Sequence, residues 1–528
     1  MCVAFVAVVE LLPLPRDGHT VSSAAAARSS QEPPRVSAGG PCWAAHPRWP
    51  CKRLRGARYA IYDWTAAPDL SSFYGRSPDA IVVLRRVTNS GRLAQLRGKD
   101  GCLAFSPEPG RRERNRKAIA GCQKARGGGS AWRTAIAPDG RHFYVVGPSP
   151  AGNIVTVYRR DRASGRLRQL TGPAGCITAR RRPGCAVDPT LRGESPTGLS
   201  MFPDGRTLLV MMNGRIVIYD RDRSTGLLRR PRSGPMCIAR KAPSCQRHGW
   251  VERIPHSAVV FTGGGSQAHV VYQGEQYHRT DDYEGPGARI LTLVRGRGSR
   301  LRALSTTATW KPAGRLSALA ADPATLHVLG FELSGWEIDR RGAPRRPAST
   351  GTCWTRDDFC IPFKRPADSP LRGEFGRAIA TADNTLYTLS TDFRPGGVRT
   401  GDVRSGFIDA FTRQPASATL TPVRTCGRTA GACGEVDVDH PAAMAVSPDG
   451  QRMFVHGRGG ELAVLDRWSD GSVSQRDGPG RCAGLGHRGC EPVWIPRDRN
   501  STVQLALSAD SRFLYVLAWD GAAALRLQ

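Results

Sequence analysis

The chain has no run of 18 apolar residues, so no membrane-spanning helix is expected. It contains no H-E-x-x-H, no G-x-S-x-G and no P-loop, which removes the commonest signatures of zinc proteases, serine hydrolases and nucleotide-phosphate binders. No EF-hand loop occurs, no cysteine pair has C-x-x-C spacing, and the 11 histidines do not gather at ligand spacing. Neither a metal nor a cofactor is therefore expected. One literal G-x-G-x-x-G, Gly484 to Gly489, falls inside a cysteine loop rather than between a strand and a helix, and reads as chance. Lysine is scarce, at seven of the 76 basic residues.

What is abundant points to strands. In 528 residues there are 60 Gly and 39 Pro, too many turn-formers for a helical bundle. Hydrophobic residues make up 40%, enough for an ordinary globular interior. The net charge is +31, carried by arginines scattered through the whole chain rather than gathered in one element. Scatter favours a compositional origin over a dedicated polyanion surface, although DNA, anionic lipid or acidic wall polymer would all be attracted.

Fourteen of the 15 cysteines fall into close pairs: Cys42 with Cys51, Cys102 with Cys122, Cys176 with Cys185, Cys237 with Cys245, Cys353 with Cys360, Cys426 with Cys433 and Cys482 with Cys490. Repeated short spacing reads as local disulfides and an oxidising, extracytoplasmic compartment. The start of the chain agrees in part. Met1–Leu14 is mostly apolar and Ser22–Ala27 is rich in small residues, but no basic residue precedes the apolar run and Glu10 interrupts it. Cleavage near Ala24–Ala27 would remove the unpaired Cys2. Residues 1–34 are expected to form a leader, and 35–528 a single domain at the cell surface or in the medium.

A repeat of roughly sixty residues dominates that domain. Its clearest copy reads AWRTAIAPDGRHFYVVG, GNIVTVYRRDRASGRLRQL, then TGPAGC…GC over Ala131–Cys185. SPTGLSMFPDGRTLLVM with GRIVIYDRDRSTGLLRR repeats it, as does HPAAMAVSPDGQRMFVHG with GELAVLDRWSDGSVSQ. Pro138-Asp139-Gly140, Pro203-Asp204-Gly205 and Pro448-Asp449-Gly450 each separate two apolar runs, as a tight hairpin requires. Ile154–Tyr158 and Ile216–Tyr219 read as third strands, Ser164-Gly165 and Thr225-Gly226 as second turns, and Arg166–Leu170 as a more polar fourth strand. Such a meander buries too little alone, and stacking copies around an axis buries both faces.

Strand sets appear near 59–85, 131–160, 197–221, 256–296, 317–338, 377–412, 442–467 and 503–527, which makes eight. The last lacks a fourth strand and a cysteine loop, and Arg35–Gly40 followed by Cys42 and Cys51 supplies both. The fold class predicted is thus all-β: a β-propeller of four-stranded antiparallel blades, closed by the two ends of the chain in one blade. Eight blades are preferred. Seven is the alternative, because the units at Tyr59–Leu96 and His256–Leu304 are degenerate.

The SPDG turn, the VxVYDRDxxTGxL-like strand and the GPxGC…C loop resemble the secreted β-propeller repeats of the YVTN or lactonase-like type, common in exported actinobacterial proteins. The resemblance spans about 35–528. It implies the propeller fold and, by architecture alone, a sugar-lactone hydrolase as one activity. Propeller sites lie at the mouth of the central channel, and repeat alignment puts Arg133, His256, Arg315, Arg377 and His440 there as candidate ligand-binding residues. Glu194, Glu374 and Asp439 fall nearby. No catalytic residue can be named. The leading expectation is a non-catalytic binding or scaffold module for a sugar or an acidic surface polymer. The alternatives are a lactonase-like hydrolase, and an electrostatic binder of wall polymer or nucleic acid. Nucleic acid is disfavoured because the basic loop Arg111–Lys117 carries no interleaved aromatics. The excursion Gln276–Gly287 reads as a tolerated insertion, and a monomer is expected.

Overall fold

The computed structural model describes residues 36–528 apart from short stretches, the longer of which are 106–118, 249–256, 274–287, 311–317, 346–352, 356–374, 392–405 and 424–434. Eight antiparallel sheets follow one another as the blades of a β-propeller. Their innermost strands begin at Asp63, Arg133, Pro196, Ser257, Ala318, Phe375, Pro441 and Gln504, which number blades 1 to 8. Successive inner strands touch around the ring. The described residues contain no α-helix, and none of their helices is long and apolar enough to cross a membrane.

Blade 2 shows why these residues form these elements. Arg133–Ile136 pairs with His142–Ser149, which pairs with Gly152–Arg160. Side chains alternate between faces. Phe143 and Val145 pack towards blade 1 with Tyr74, Ile81 and Val83, whereas Tyr144, Val155 and Val157 pack towards blade 3 with Leu208 and Val210. Every blade is thus apolar on both faces, and the core is a ring of eight interfaces. The Pro138-Asp139-Gly140 turn holds Gly140 at φ +67, where a Cβ is disfavoured. Blade 1 has Leu70 at the matching position, at φ +50.

The outer edge is richer than a single fourth strand. Leu167–Gln169 pairs with one end of Gly152–Arg160, the 3-10 turn Gly172–Gly175 intervenes, and Cys176–Thr178 pairs with the other end. The chain then returns as Ala186–Val187, parallel to Cys176–Thr178. The Cys176–Cys185 disulfide clips this parallel pair. Cys42–Cys51, Cys102–Cys122 and Cys237–Cys245 do the same in blades 8, 1 and 3, with Cα atoms 4.6–4.8 Å apart. Cys482–Cys490 closes the corresponding loop of blade 7.

The described residues thus carry five of the seven expected disulfides, and the other two stay expectations. Cys353 begins the outer strand Cys353–Thr355 of blade 5, but Cys360, its expected partner, lies outside the described residues. Cys426 and Cys433, the expected pair of blade 6, both lie outside them.

The chain ends meet in blade 8. Val36, Ser37 and Ala38 pair with Leu527, Arg526 and Leu525, and Trp43–Ala44 joins the same strand. The closed seam packs like the others, with Phe73 of blade 1 and Tyr515 of blade 8 at 4.9 Å between ring centroids. The degenerate units at Tyr59–Leu96 and His256–Leu304 are both full blades, so the count is eight.

A polar clasp spans most junctions between blades. Arg221, at the end of blade 3's third strand, is buried. Its Nε donates to the Tyr144 hydroxyl of blade 2 at 2.7 Å, its Nη2 pairs with Asp139 of blade 2's turn at 2.9 Å, and its Nη1 donates to Gly205 O of its own turn at 2.8 Å. The Tyr144 hydroxyl donates in turn to Gly226 O at 3.0 Å. Arg160 makes the same set with Tyr74, Asp69 and Gly140 O, and Arg467 with Tyr387, Asp383 and Gly450 O. Arg295 and Arg413 keep the ion pair, to Asp204 at 3.3 Å and Asp322 at 3.2 Å, without a tyrosine partner among the described residues. Arg295 donates instead to the Thr207 hydroxyl at 2.9 Å, and Arg413 keeps the bond to its own turn at Asp383 O, 2.6 Å. Arg86 stands against the Tyr515 hydroxyl across the closing seam. Two junctions lack the arginine: register places Ile338 there in blade 5 and Leu527 in blade 8.

Candidate functional site

The inner strands start at the mouth of the channel, and their first residues are stitched to neighbouring blades. Gln504 donates to Trp64 O at 2.8 Å, the Thr65 and Thr134 hydroxyls lie 2.6 Å apart, and Arg133 Nε donates to Thr197 O at 2.7 Å. Blades 1 and 2 put an unusual group there. Asp63 pairs in register with Arg76 across two strands, and Arg133 occupies Asp63's position in the next blade. The Arg76 guanidinium is buried, donates to Ala131 O at 3.3 Å and lies 5.6 Å from the centre of the Tyr62 ring. Arg133 Nη1 donates to Trp132 O at 2.7 Å.

Asp63 therefore stands in the field of two guanidiniums in a poorly solvated place. Burial pushes the Asp63 carboxyl up, against the pull of Arg76 and Arg133. Burial and the like charge of Arg76 bring Arg133 down to about 10, so it stays cationic at neutral pH. The local balance is one positive charge in excess, held by backbone carbonyls in fixed directions. Tyr62, whose ring lies against Arg76, and Trp132, the residue before Arg133, are each 37% exposed and among the few large apolar side chains of the described residues that reach solvent. A buried Arg76 and a half-buried Arg133 next to two partly exposed aromatic residues can orient an anionic group while a ring lies against Trp132 or Tyr62.

A second basic group lies on blades 6 and 7. Arg377 sits at the irregularity between Gly376 and Ala378, and burial with the repulsion of Arg458 brings it down to about 10. Arg458 N donates to His440 O at 3.1 Å, and His440 has φ +50 just before its inner strand. Of the five expected residues, Arg133 thus joins the blade 1–2 group, and Arg377 and His440 lie together at blades 6–7. His256 and Arg315 lie outside the described residues, as do Glu194, Glu374 and Asp439, the basic loop Arg111–Lys117 and the excursion Gln276–Gly287.

Asp63, Arg76 and Tyr62 were not legible as site residues. Their unit ends its first run in Ala67-Pro68-Asp69-Leu70, which lacks the glycine that marks the turn elsewhere. Matching Ala67-Pro68-Asp69 to Ala137-Pro138-Asp139 would have set Asp63 beside Arg133. Among the described residues no group of three or more His, Cys, Asp or Glu could hold a metal ion.

No protein-family model matches the chain, and no curated protein does. Among solved structures it is similar to a candidate 6-phosphogluconolactonase from Bacteroides uniformis, at 14% identity over 75% of this chain and 90% of that one, with a TM-score of 0.39. It is similar also to the Dos1 propeller, at 10% identity over 89% and 92% with a TM-score of 0.46. The C-terminal WD40 domain of Sif2 aligns at 12% identity over 89% and 96%, with a TM-score of 0.42. Likeness of this degree carries no inference about ligand or activity.

Proposed function

We propose that the chain is an exported propeller that binds an acidic saccharide unit at its channel mouth and carries out no reaction on it. One observation carries this reading: Arg76 and Arg133 share the field of a single carboxylate, Asp63, in a poorly solvated place next to two partly exposed aromatic residues, Tyr62 and Trp132. A sugar acid matches that chemistry, with a carboxylate for the guanidiniums and an apolar ring face for the aromatics. Five described disulfides and the small-residue stretch Ser22–Ala27 support export. The repeat motifs support a place among YVTN or lactonase-like propellers of actinobacterial type. We take the chain to act as a monomeric domain over residues 35–528 behind a leader. Lactone hydrolysis has less support, because the sequence carries no catalytic signature and rests that activity on architecture alone.

Titration of tryptophan emission with D-galacturonate tests the reading, with D-galactose as the neutral control. Galacturonate is expected to bind, and Trp132→Ala and Arg133→Gln are each expected to weaken it about tenfold. Equal binding of galactose would remove the role of the guanidiniums. Saturable turnover of sugar lactones would replace binding with catalysis.

A further inference from the structure

The opposite end of the blades carries a second arrangement, independent of the mouth. Pro138, Asp139, Arg141, Arg162, Arg223 and Ser224 line an open cleft of about 500 Å³. It is formed by the first turn of blade 2 and by the second turns of blades 2 and 3. Arg141, Arg162 and Arg223 are all exposed.

The acidic residues of these turns are engaged within the fold. Asp139 accepts from Arg221 Nη2 at 2.9 Å and from Arg141 N at 3.0 Å. Asp161 accepts from Ser164 N at 2.7 Å and its hydroxyl at 2.8 Å. Asp222 accepts from Ser224 N and Thr225 N, both at 2.9 Å, and these bonds with the Ser224 hydroxyl hold its carboxyl far below the ordinary range. The carboxylates close turns and clasp blades, while the three guanidiniums have no carboxylate partner among the described residues. The next blade repeats the basic position with the exposed Arg206.

We propose that this cleft binds a phosphate group of a linear phosphate-bearing polymer other than a nucleic acid. The three cations reach the cleft from three different turns. A tetrahedral phosphate offers oxygens in several directions and can be shared by all three, whereas a planar carboxylate presents one bidentate edge. Nucleic acid is disfavoured because no aromatic side chain lines the cleft for stacking. Inorganic polyphosphate and a glycerol-phosphate polymer share the chemistry, and separate arms distinguish them.

The probe is fluorescent polyphosphate, followed by anisotropy across a salt series. A glycerol-phosphate oligomer, poly-glutamate and oligothymidylate of similar charge provide the other arms. The triple variant R141Q/R162Q/R223Q is expected to weaken polyphosphate binding at least ~10-fold and to lower the slope of log affinity against log salt by about 2. The charge-matched triple R180Q/R181Q/R229Q, on exposed residues elsewhere, is expected to change it less than ~2-fold. Glycerol-phosphate outcompeting polyphosphate would support the same site with a phosphodiester as its source. Equal losses in the two triples would overturn the cleft in favour of diffuse charge. Oligothymidylate or poly-glutamate binding as tightly as polyphosphate would overturn the phosphate assignment. The cleft triple is expected to keep its thermal midpoint and its galacturonate binding, so failure here and failure at the mouth are separable. Should the triple prove unstable, R162Q alone is expected to lower the salt slope by about 1, and an unchanged slope would overturn the proposal.

Discussion

The junction between blades 2 and 3 and the junction between blades 4 and 5 are made from the same pair of strands and are held by different forces. At the first, Arg221 joins Tyr144, Asp139 and Gly205 O in one buried network. At the second, Ile338 replaces the arginine and packs against a cluster containing Val260, Leu319 and Val328. The turn that would supply the aspartate is Gly263-Gly264-Gly265, and the tyrosine position holds His269, which bonds inward to Thr262 and Thr292 of its own sheet. Both partners are missing together. That follows from physics: a buried guanidinium without its carboxylate costs several kcal/mol, so where the turn lacks the aspartate the arginine is absent too. Blade 8 shows the other outcome. Leu527 removes the arginine, and Asp449 of blade 7 takes a hydrogen bond from Ser511 instead.

The largest effect is expected on acidification, and it reaches both kinds of junction. Burial brings His269 and His327 down to about 4, so both are neutral in the folded chain. The unfolded chain protonates them near the usual 6.5. Their folded-state values are depressed, so the folded state loses stability as pH falls from about 6.5 towards 4, by ~3 kcal/mol for each histidine. Hydrogen exchange at pH 5 should lose protection in blades 4 and 5, and also in blade 2, where burial and Arg221 bring His142 down to about 4. His269→Gln with His327→Gln should remove their share of the pH dependence. Uniform loss across all eight blades would contradict this.

Breaking the clasp itself comes next. Arg221→Ala strands Asp139 and the Tyr144 hydroxyl, and denaturant unfolding should show a loss of about 3 kcal/mol. Arg206→Ala, on an exposed neighbour, should stay within about 0.5 kcal/mol. Importing half a clasp is the reverse experiment. Ile338→Arg should cost about 2 kcal/mol, because the charge enters an apolar contact, and adding Gly264→Asp should restore part of that loss. A double-mutant cycle with no coupling would mean that the two positions do not meet. The smallest effect separates the turns of blades 1 and 2. Leu70→Gly takes a side chain out of the left-handed region but also removes its packing against the blade 8–1 cluster, so stability should stay within about 1 kcal/mol in the same unfolding assay.

The repeat was readable because its turn and strand residues answer to local rules. Pro-Asp-Gly between apolar runs, alternation along Phe143–Val146, and Cys176 nine residues before Cys185 each constrain only their own neighbourhood. Closure by Val36–Ala38 on Leu525–Leu527 was readable too, since a final blade one strand short must find that strand elsewhere. The parallel edge strand Ala186–Val187 was not readable, because two residues carry no periodicity.

The residue types alone thus set the all-β class, the repeat with eight copies preferred over seven, the ring closure and the partners of the described disulfides, because each depends on short-range backbone preference or on chain length; the structure decided the count of eight. Only the tertiary structure decided which arginines are spent inside the fold and which face solvent. Arg221 and Arg223 stand two positions apart in the same motif, yet one is buried in a clasp and the other lines an open cleft. Their fates differ because the neighbouring blade, distant in sequence, covers one and leaves the other in water. The same holds for Asp63, Arg76 and Arg133, whose shared charge exists only where two blades bring them together.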